Sequence, residues 1–348
     1  MTRCSTNSTK ENVIKENIPW ERYWELIDSA ETIVLTSHIR PDGDSLGSQT
    51  AMAQAVRARG KRVMMINADP VPPTLTYLDP DGEIRALGQL TDGEKRYLAG
   101  ADLLVSLDTS SKAQLGAMFD YFASGPARKV VIDHHVQRYE FEAELFADSE
   151  APATGTIVFD ALRAGGMEIT RSIAFSLFVA IASDTGWFRF SSVSDRTFEV
   201  VAELIRAGVC PADVYRLVYE QESLGRIRLT GRALANTESF FGGRLMLTSL
   251  LLSDFDQAGA HPSESEDIVN ETLKIAGTKM ALILIEQKNG DFKISFRSRC
   301  AVDCSQLAAS FGGGGHAKSA GAMLHYSLDE TKKRLLDASK KALDACGE

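Results

Sequence analysis

The first half of the chain alternates short apolar runs with longer segments in which apolar residues recur at helical spacing. We predict strands at residues 32–37, 62–67, 101–107 and 128–132. We predict helices at residues 48–59, 154–164 and 172–183. Continuous apolar strands separated by helices are typical of a parallel sheet that is covered on both faces. The pattern therefore predicts an α/β fold with an N-terminal, doubly wound, mainly parallel sheet.

The pattern changes after Phe190. We predict two helices, at residues 195–207 and 212–221. A second α/β block begins near Arg226, and Asn289-Gly290 between two of its apolar runs is a strong β-hairpin signal. Its predicted elements are strands at residues 245–252, 280–287, 292–297 and 321–326, and a terminal helix from residue 329. We expect a smaller C-terminal α/β domain with a mixed sheet.

A chain of 348 residues is long for a single core, so two domains are the default expectation. The patterns divide the chain into a mobile tail, a first α/β domain, a helical connector and a second α/β domain. Their predicted bounds are residues 1–18, 19–190, 191–225 and 226–348.

Composition and charge limit the kinds of molecule that this protein is expected to bind. The formal net charge is -9, which disfavours a stable complex with long nucleic acid, because such a complex needs an extended basic face. Five scattered cysteines are typical of a reduced, cytoplasmic protein. The polar first 20 residues carry no targeting signal, and no stretch approaches the ~20 apolar residues of a membrane span. We therefore expect a cytoplasmic protein with no membrane partner and a short anionic substrate.

Candidate chemistry follows the predicted strands. His38, Asp108 and Asp133 each come directly after a strand, and ligands bind beyond the carboxyl ends of strands in open α/β sheets. Four further acids and imidazoles stand close to such positions in the chain, namely Asp42, Asp44, His134 and His135, and an eighth group, Asp184, follows a predicted helix. Packed together without counter-charge, the eight groups would repel one another. Bound divalent cations would remove that repulsion, so the set indicates a two-metal hydrolase.

Each part of this set also has an ordinary interpretation. Asp44 or Ser45 could cap a helix, and so could Asp108. Asp184 could be a solvated surface acid, and adjacent histidines could pack in a core. The metal interpretation rests on all the segments meeting at one edge of one sheet.

The donor types also favour a particular metal. Nitrogen and oxygen ligands without a thiolate suit octahedral Mn²⁺. Zinc prefers fewer ligands, often including Cys, and Mg²⁺ usually keeps several waters. We expect two Mn²⁺ per site, about 3.5–4 Å apart and sharing an activated hydroxide, with Mg²⁺ or Co²⁺ as substitutes.

The second block contains a glycine run at residues 312–315 beside His316. Consecutive glycines can present backbone N–H groups to an anion, although a flexible turn would have the same composition. Arg297 offers a planar fork for a phosphate, or it could be a solvated strand residue.

The motifs together resemble a known family. HIRPDGDSLGS, SLDTS, DHH and ASDTGWF resemble, in order and spacing, the four motifs of the DHH phosphoesterase superfamily. FRSR and FGGGGHAKSAG resemble its DHH-associated C-terminal domain. The resemblance covers about residues 20–345 and is greatest to the bacterial nanoRNase branch. That branch degrades oligoribonucleotides of a few residues and dephosphorylates adenosine 3',5'-bisphosphate.

The resemblance implies six metal ligands. His38 and Asp42 would hold one ion, and Asp108 would bridge to the second. The other ligands of the second ion would be Asp44, His134 and Asp184.

It also implies catalytic and substrate-binding residues around a site in the cleft between the domains. His135 would contact the scissile phosphate, and Asp133 would orient the adjacent histidine. The remote part of the substrate would be bound by Arg297, Ser298, Gly313, Gly314, Gly315 and His316.

The expected function is therefore a manganese-dependent phosphoesterase whose partners are short oligonucleotides and nucleoside bisphosphates. A cyclic-dinucleotide or polyphosphate phosphoesterase of the same superfamily is the second interpretation, and a nucleotide-binding sensor without turnover is the third. The sequence leaves oligomeric state open, with a homodimer among the states allowed.

Overall fold

The structure is a computed structural model that describes residues 18–135 and 141–347. Its contacts divide the chain into two compact units, Met1–Glu220 and Gln221–Glu348. Residues 1–17 of the predicted tail lie outside the described residues, whereas Ile18 packs against the core of the first unit. Within the described residues, no helix has both the length and the apolar character needed to cross a lipid bilayer.

The first unit is built on a six-stranded sheet in which every pairing is parallel. Its strands are β1 (Thr32–Thr36), β2 (Arg62–Asn67), β3 (Ile84–Ala86), β4 (Leu103–Leu107), β5 (Arg128–Asp133) and β6 (Glu144–Ala147). The strand order is β3-β2-β1-β4-β5-β6, so the chain changes direction across the sheet between β1 and β4. In doubly wound sheets this switch point is where ligands bind.

Helices cover both faces of this sheet. They are α1 (Trp20–Ser29), α2 (Gly43–Ala58), α3 (Asp92–Ala99), α4 (Lys112–Leu115), α5 (Phe119–Ser124), α6 (Thr154–Ala164), α7 (Arg171–Asp184), α8 (Asp195–Arg206) and α9 (Pro211–Tyr219). Three 3-10 helices add Pro73–Leu78, Leu87–Gln89 and Gly116–Met118. Ile33 and Leu35 of β1 lie in one hydrophobic core and Val34 in the other, because successive strand residues point to opposite faces. The predicted doubly wound sheet is confirmed.

The structure differs from the sequence expectation at the sheet edges and in the connector. The edge strands β3 and β6 were not predicted, because each is only three or four residues long and lacks a continuous apolar run. The segment predicted as a connector, residues 191–225, belongs mostly to the first unit. Val200 and Leu204 of α8 and Val214 of α9 are buried in its main core, which accounts for a division at residue 220.

Helices α2 and α7 pack unusually closely, and glycine makes this possible. A Cβ atom at Gly47 would lie 2.4 Å from the Ser176 carbonyl oxygen, and one at Gly43 would lie 2.4 Å from Ser183 Oγ. A side chain at either position would therefore push the helices apart. The close packing holds the start of α2 beside the end of α7.

The second unit contains a mixed six-stranded sheet. Its strands are β7 (Glu238–Phe240), β8 (Leu245–Leu250), β9 (Met280–Glu286), β10 (Phe292–Ser298), β11 (Gly314–Gly315) and β12 (Ser319–Leu324), in the order β11-β12-β10-β9-β8-β7. Its helices are α10 (Leu224–Ala235), α11 (Leu252–Ala258), the 3-10 helix Pro262–Ser265, α12 (Ile268–Thr272), α13 (Cys304–Ala309) and α14 (Leu328–Ala345). Among the strands described for this unit, only β8 and β9 pair in parallel. The predicted β9–β10 hairpin is confirmed, with Gly290 at φ 82° in its turn.

Candidate metal centre and active site

The fold brings all eight acids and imidazoles singled out in the first half into one chain of contacts at the carboxyl edge of the first sheet. They occupy the ends of β1, β4 and β5, the start of α2 and the end of α7, and they are His38, Asp42, Asp44, Asp108, Asp133, His134, His135 and Asp184. Parallel strands place their carboxyl ends at the same edge, which explains why distant segments of the chain meet there.

The first cluster surrounds His38. Its Nε2 atom lies 3.7 Å from Asp42 Oδ1 and 3.4 Å from Asp108 Oδ2. Its Nδ1 atom lies 2.8 Å from the Ile39 carbonyl oxygen, so Nδ1–H donates there and Nε2 faces the two acids. A histidine that ligates a metal through Nε2 keeps its Nδ1 proton in a bond of this kind.

The second cluster surrounds His134. Its Nε2 atom lies 3.5 Å from Asp184 Oδ2, 3.6 Å from Asp108 Oδ1 and 3.8 Å from Asp44 Oδ2. Its Nδ1 atom donates to the Ala151 carbonyl oxygen at 3.2 Å. Nε2 is buried and has no hydrogen-bond partner among the described residues. A buried nitrogen that faces three carboxylates without bonding any of them fits a position for a cation.

Asp108 lies between the clusters and contributes one oxygen to each. Oδ2 faces His38 and Oδ1 faces His134. The residue has φ 65°, a left-handed conformation that costs of order 1–3 kcal/mol for a residue other than glycine. Its backbone N–H donates to the Ile132 carbonyl at 2.9 Å, so the start of the loop is tied to β5 and Asp108 does not act as a helix cap.

The Asp42 side chain caps α2 as well as facing His38. It accepts a hydrogen bond from the Ser45 amide at 3.0 Å, so α2 begins at Gly43, five residues before the expected position. The ordinary interpretation of this loop would have given the cap to Asp44 or Ser45 instead. Because Asp42 takes the cap, Asp44 sits in the first turn and is turned into the cluster.

The electrostatics of the site show an excess of negative charge. Burial, with the neighbouring carboxylates of Asp108 and Asp184, raises the pKa of Asp44 well above its ordinary range. Burial is also the main reason why the pKa of Asp184 is raised. Burial lowers the pKa of His38, but hydrogen bonds to Asp108 and Asp42 outweigh it and raise the pKa to about 11. Carboxylates and imidazoles would both regain their ordinary charge states if a divalent cation shared the site.

The donor set fits such a cation. Three groups of side chains each bring oxygen or nitrogen atoms within 4.8 Å of one another: Asp108 with His134 and His135, His38 with Asp42 and Asp108, and Asp44 with His134 and Asp184. Carboxylate oxygen and imidazole nitrogen are the ligands of Mn²⁺ and related ions.

His135 is arranged differently from His134. Its Nδ1 atom lies 2.8 Å from Asp133 Oδ1, and its backbone N–H donates to the same oxygen at 2.9 Å. The hydrogen bond to Asp133 raises the pKa of His135 to about 9. The side chain is half exposed, and Asp133 beneath it is fully buried. A buried acid therefore orients an accessible, protonated imidazole whose Nε2–H is available to a ligand.

Helix α6 contributes to the site in a way that the sequence pattern did not predict. The amides of Thr154 and Gly155 donate to the two oxygens of Asp44, at 2.7 and 2.8 Å, and the Thr154 hydroxyl donates to Asp108 Oδ1 at 2.8 Å. A signal was present, because α6 has Ala153 at its N-cap position and no side-chain cap. The amides of an uncapped first turn need acceptors from elsewhere in the fold.

The predicted substrate-binding residues of the second unit surround the end of β10 and the start of β12. Arg297 Nη2 lies 3.2 Å from Asp267 Oδ1, and Nη1 donates to the Phe296 carbonyl at 3.1 Å. Ser298 is buried and its hydroxyl bonds to the main chain of Cys300. Its hydroxyl is thus engaged within the turn that follows β10.

The glycine run is more ordered than either sequence interpretation expected. The amides of Gly312 and Gly313 donate to carbonyls at the end of α13, so these two N–H groups are already bonded within the unit. Gly314 and Gly315 form β11 and pair with β12. His316 follows and is exposed, with its backbone N–H donating to the Ser319 carbonyl at 2.7 Å.

Both units match known families. Residues 32–181 match the DHH family N-terminal domain, and residues 243–345 match the DHHA1 domain. The chain is 32% identical to the bifunctional oligoribonuclease and PAP phosphatase NrnA of Thermus thermophilus over 95% of this chain and 98% of the relative. It is 24% identical to the protein of that name in Bacillus subtilis, over 88% of this chain and 93% of the relative.

Solved structures agree with this match. An exopolyphosphatase-related protein of Bacteroides fragilis superposes with a TM-score of 0.83 at 27% identity, covering 94% of this chain and 97% of that one. Exonuclease RecJ bound to manganese superposes with a TM-score of 0.51 at 14% identity, over 93% of this chain and 94% of that one, which is a likeness of fold alone.

The fold and the acid–imidazole site define a hydrolase that acts on phosphoester bonds. The chain belongs to the DHH phosphoesterase superfamily, in the nanoRNase and PAP phosphatase branch.

Proposed function

We propose that this enzyme hydrolyses short oligonucleotides to mononucleotides and dephosphorylates adenosine 3',5'-bisphosphate, with two Mn²⁺ ions in its site. The names of the relatives from Thermus thermophilus and Bacillus subtilis support the two activities. The observation that supports the metal site best is the buried His134 Nε2, which faces three carboxylates and bonds to none of the described residues.

Six side chains would hold the ions in two groups that share Asp108. The first group is His38, Asp42 and Asp108, and the second is Asp108, Asp44, His134 and Asp184. When bound, the two cations would supply Lewis-acid activation of water and neutralise charge on the phosphoryl oxygens.

His135 would contact the substrate directly, and Asp133 would act indirectly by orienting His135. The pKa of about 9 keeps His135 protonated at neutral pH, and Asp133 holds the proton of Nδ1. Nε2–H is then free to donate to a phosphoryl oxygen or to the leaving oxygen. The buried Asp133 fixes the ring in that orientation.

In the second unit, Arg297 and His316 would bind an anionic group remote from the cleaved bond, beside Gly314 and Gly315. The bond to Asp267 uses only part of the hydrogen-bonding capacity of Arg297, because a guanidinium has five N–H groups. The role we assign to Ser298 is to shape the turn at the end of β10 through its bonds to Cys300.

The preference for short substrates is supported by charge. The chain has 38 basic and 47 acidic residues, so it lacks the surplus of cations that binds a long phosphate backbone. A short substrate instead depends on metals and a few local donors.

The test is product analysis on 5'-labelled RNA of two to twenty-four nucleotides with Mn²⁺ present. We expect mononucleotides from the shortest RNAs, little turnover of the longest, and release of phosphate from adenosine 3',5'-bisphosphate, all abolished by EDTA. Intact dinucleotide and bisphosphate in a metal-replete sample would contradict the proposal. Cyclic di-AMP and polyphosphate in the same assay would reveal the alternative activities.

A further inference from the structure

Thr154 contacts two of the proposed ligands at once. It is fully buried at the start of α6. Its hydroxyl donates to Asp108 Oδ1 at 2.8 Å, and its amide donates to Asp44 Oδ2 at 2.7 Å. Asp44 is 110 residues away in the chain, on α2. One residue therefore links the carboxylates of two separate elements.

The direction of these bonds matters for ligation. Amide and hydroxyl protons donate to the carboxylates of Asp44 and Asp108, so both bonds fix the orientation of oxygens that would ligate a cation. The hydroxyl occupies one lone pair of Asp108 Oδ1. The same oxygen lies 3.6 Å from His134 Nε2, and its second lone pair can ligate an ion on that side.

The contacts of Thr154 are unequally divided between the two clusters. Asp44 Oδ2 and Asp108 Oδ1, which it bonds, are the oxygens that face His134. In the other cluster, Asp42 is instead held by its capping bond to Ser45. The Thr154 hydroxyl thus bonds the oxygen of the shared Asp108 that faces His134, and the Thr154 amide bonds Asp44 of the same cluster.

We propose that Thr154 is a positioning residue that sets the affinity of one ion position, the one formed by Asp44, His134 and Asp184, over the other. This inference rests on the proposed two-metal site. Hydrogen-bond partners of metal ligands typically change metal affinity about 10- to 100-fold when they are removed. The expected effect is therefore selective loss of one of two bound ions.

The chain offers matched variants for the test. Thr154→Val keeps the shape and the backbone amide and removes the hydroxyl, and Thr154→Ser keeps the hydroxyl. Thr156→Val is the control, because Thr156 lies on the same helix, is also buried, and its hydroxyl has no hydrogen-bond partner among the described residues.

The measurement is titration of the metal-free protein with Mn²⁺ alone, followed by the EPR signal of free Mn²⁺. Wild type should bind two ions. In Thr154→Val one of them should weaken about 10- to 100-fold, while Thr154→Ser and Thr156→Val stay within a few-fold of wild type. Asp42→Asn and Asp184→Asn assign the two positions. Adding Thr154→Val to Asp42→Asn should weaken the binding of the remaining Mn²⁺. Adding it to Asp184→Asn should cause no further loss of Mn²⁺ affinity.

Each other outcome counts against the inference in a distinguishable way. A wild type that binds no Mn²⁺ would overturn the proposed function as well. If wild type binds two ions but Thr154→Val weakens neither, or both equally, only the role of Thr154 falls. Equal losses in Thr154→Val and Thr156→Val would show that α6 is merely disturbed, and would also overturn the inference.

Discussion

The metal cluster of the first unit and the glycine–histidine segment of the second are built in different ways. Asp44 and Asp108 are buried, and each is fixed by bonds to α6 or β5. His316 is exposed, and its backbone exchanges hydrogen bonds with the backbone of Ser319 in a tight turn. Buried charges are tolerated only when several partners hold them, whereas an exposed side chain can adapt to its ligand. The first region is thus suited to fixed chemistry, and the second to recognition.

The largest expected effect comes from the residue shared by both clusters. Asp108→Asn removes the negative charge shared by the two proposed ion positions. We therefore expect loss of Mn²⁺ binding and at least about a 100-fold loss of kcat. Metal titration and turnover of a dinucleotide measure this. Asp120→Asn, an exposed acid on α5, is the control and should behave as wild type. Retained binding of two ions in Asp108→Asn would contradict a shared ligand.

A backbone change should damage the first region without touching a ligand. The Cβ of Gly47→Ala would lie 2.4 Å from the Ser176 carbonyl oxygen, so α2 and α7 must separate. We expect a loss of about 1–3 kcal/mol in the free energy of unfolding, together with weaker metal binding. Gly231→Ala is the matched control, since its Cβ meets nothing within 4 Å in α10 and should stabilise by about 0.5–1 kcal/mol. Equal behaviour of the two variants in denaturant titration would refute the packing argument.

Changes in the second region should separate substrate binding from metal binding. His316→Ala removes an imidazole contact and Arg297→Lys removes a bidentate one, so kcat/KM on a dinucleotide should fall about 10- to 100-fold in each variant. Mn²⁺ affinity should not change. His325→Ala, whose side chain is 72% exposed and pairs with Asp291, is the control. Unaltered kcat/KM in both variants would remove this segment from the substrate site.

The smallest expected effect concerns the scaffold of the glycine segment. Cys304 begins α13, whose carbonyls hold Gly312 and Gly313, and burial raises the pKa of its thiol from 9.0 to about 11. The folded state therefore favours the neutral thiol. This stabilisation is complete below pH 9.0 and is lost as the pH rises to about 11, because the unfolded chain releases its proton first.

Denaturant titrations of wild type and Cys304→Ala at pH 8 and at about pH 10.5 measure this effect. The difference in the free energy of unfolding between wild type and Cys304→Ala should be smaller at the higher pH. The exposed Cys346→Ala should show no such change relative to wild type. A constant difference for Cys304→Ala would contradict the assignment.

The two regions also differ in how far the sequence predicts them. In the first, apolar strands specify a parallel sheet, and the residues that follow such strands must meet at one edge, so the meeting of His38, Asp108 and Asp133 could be anticipated from the strand pattern. The bonds of Thr154 to Asp44 could not, because they depend on the angle at which α6 reaches α2. The close packing at Gly47 likewise depends on which face α7 presents.

In the second region, composition left two interpretations of the glycine run, and neither described the structure fully. A Cβ at Gly313 would lie 2.1 Å from the Gly321 carbonyl oxygen, so glycine is required there for packing against β12. That constraint comes from a strand eight residues later in the chain. Ser298 illustrates the same limit, because only the turn at Cys300 reveals that its hydroxyl is already bonded.

The central claim is that side chains from separate segments of the first unit hold two divalent cations. Anomalous diffraction from crystals soaked in Mn²⁺ tests it most directly. The account predicts two peaks, one among His38, Asp42 and Asp108 and one among Asp44, His134 and Asp184, with Asp108 reaching both. Crystals that show no anomalous density among these side chains would contradict it.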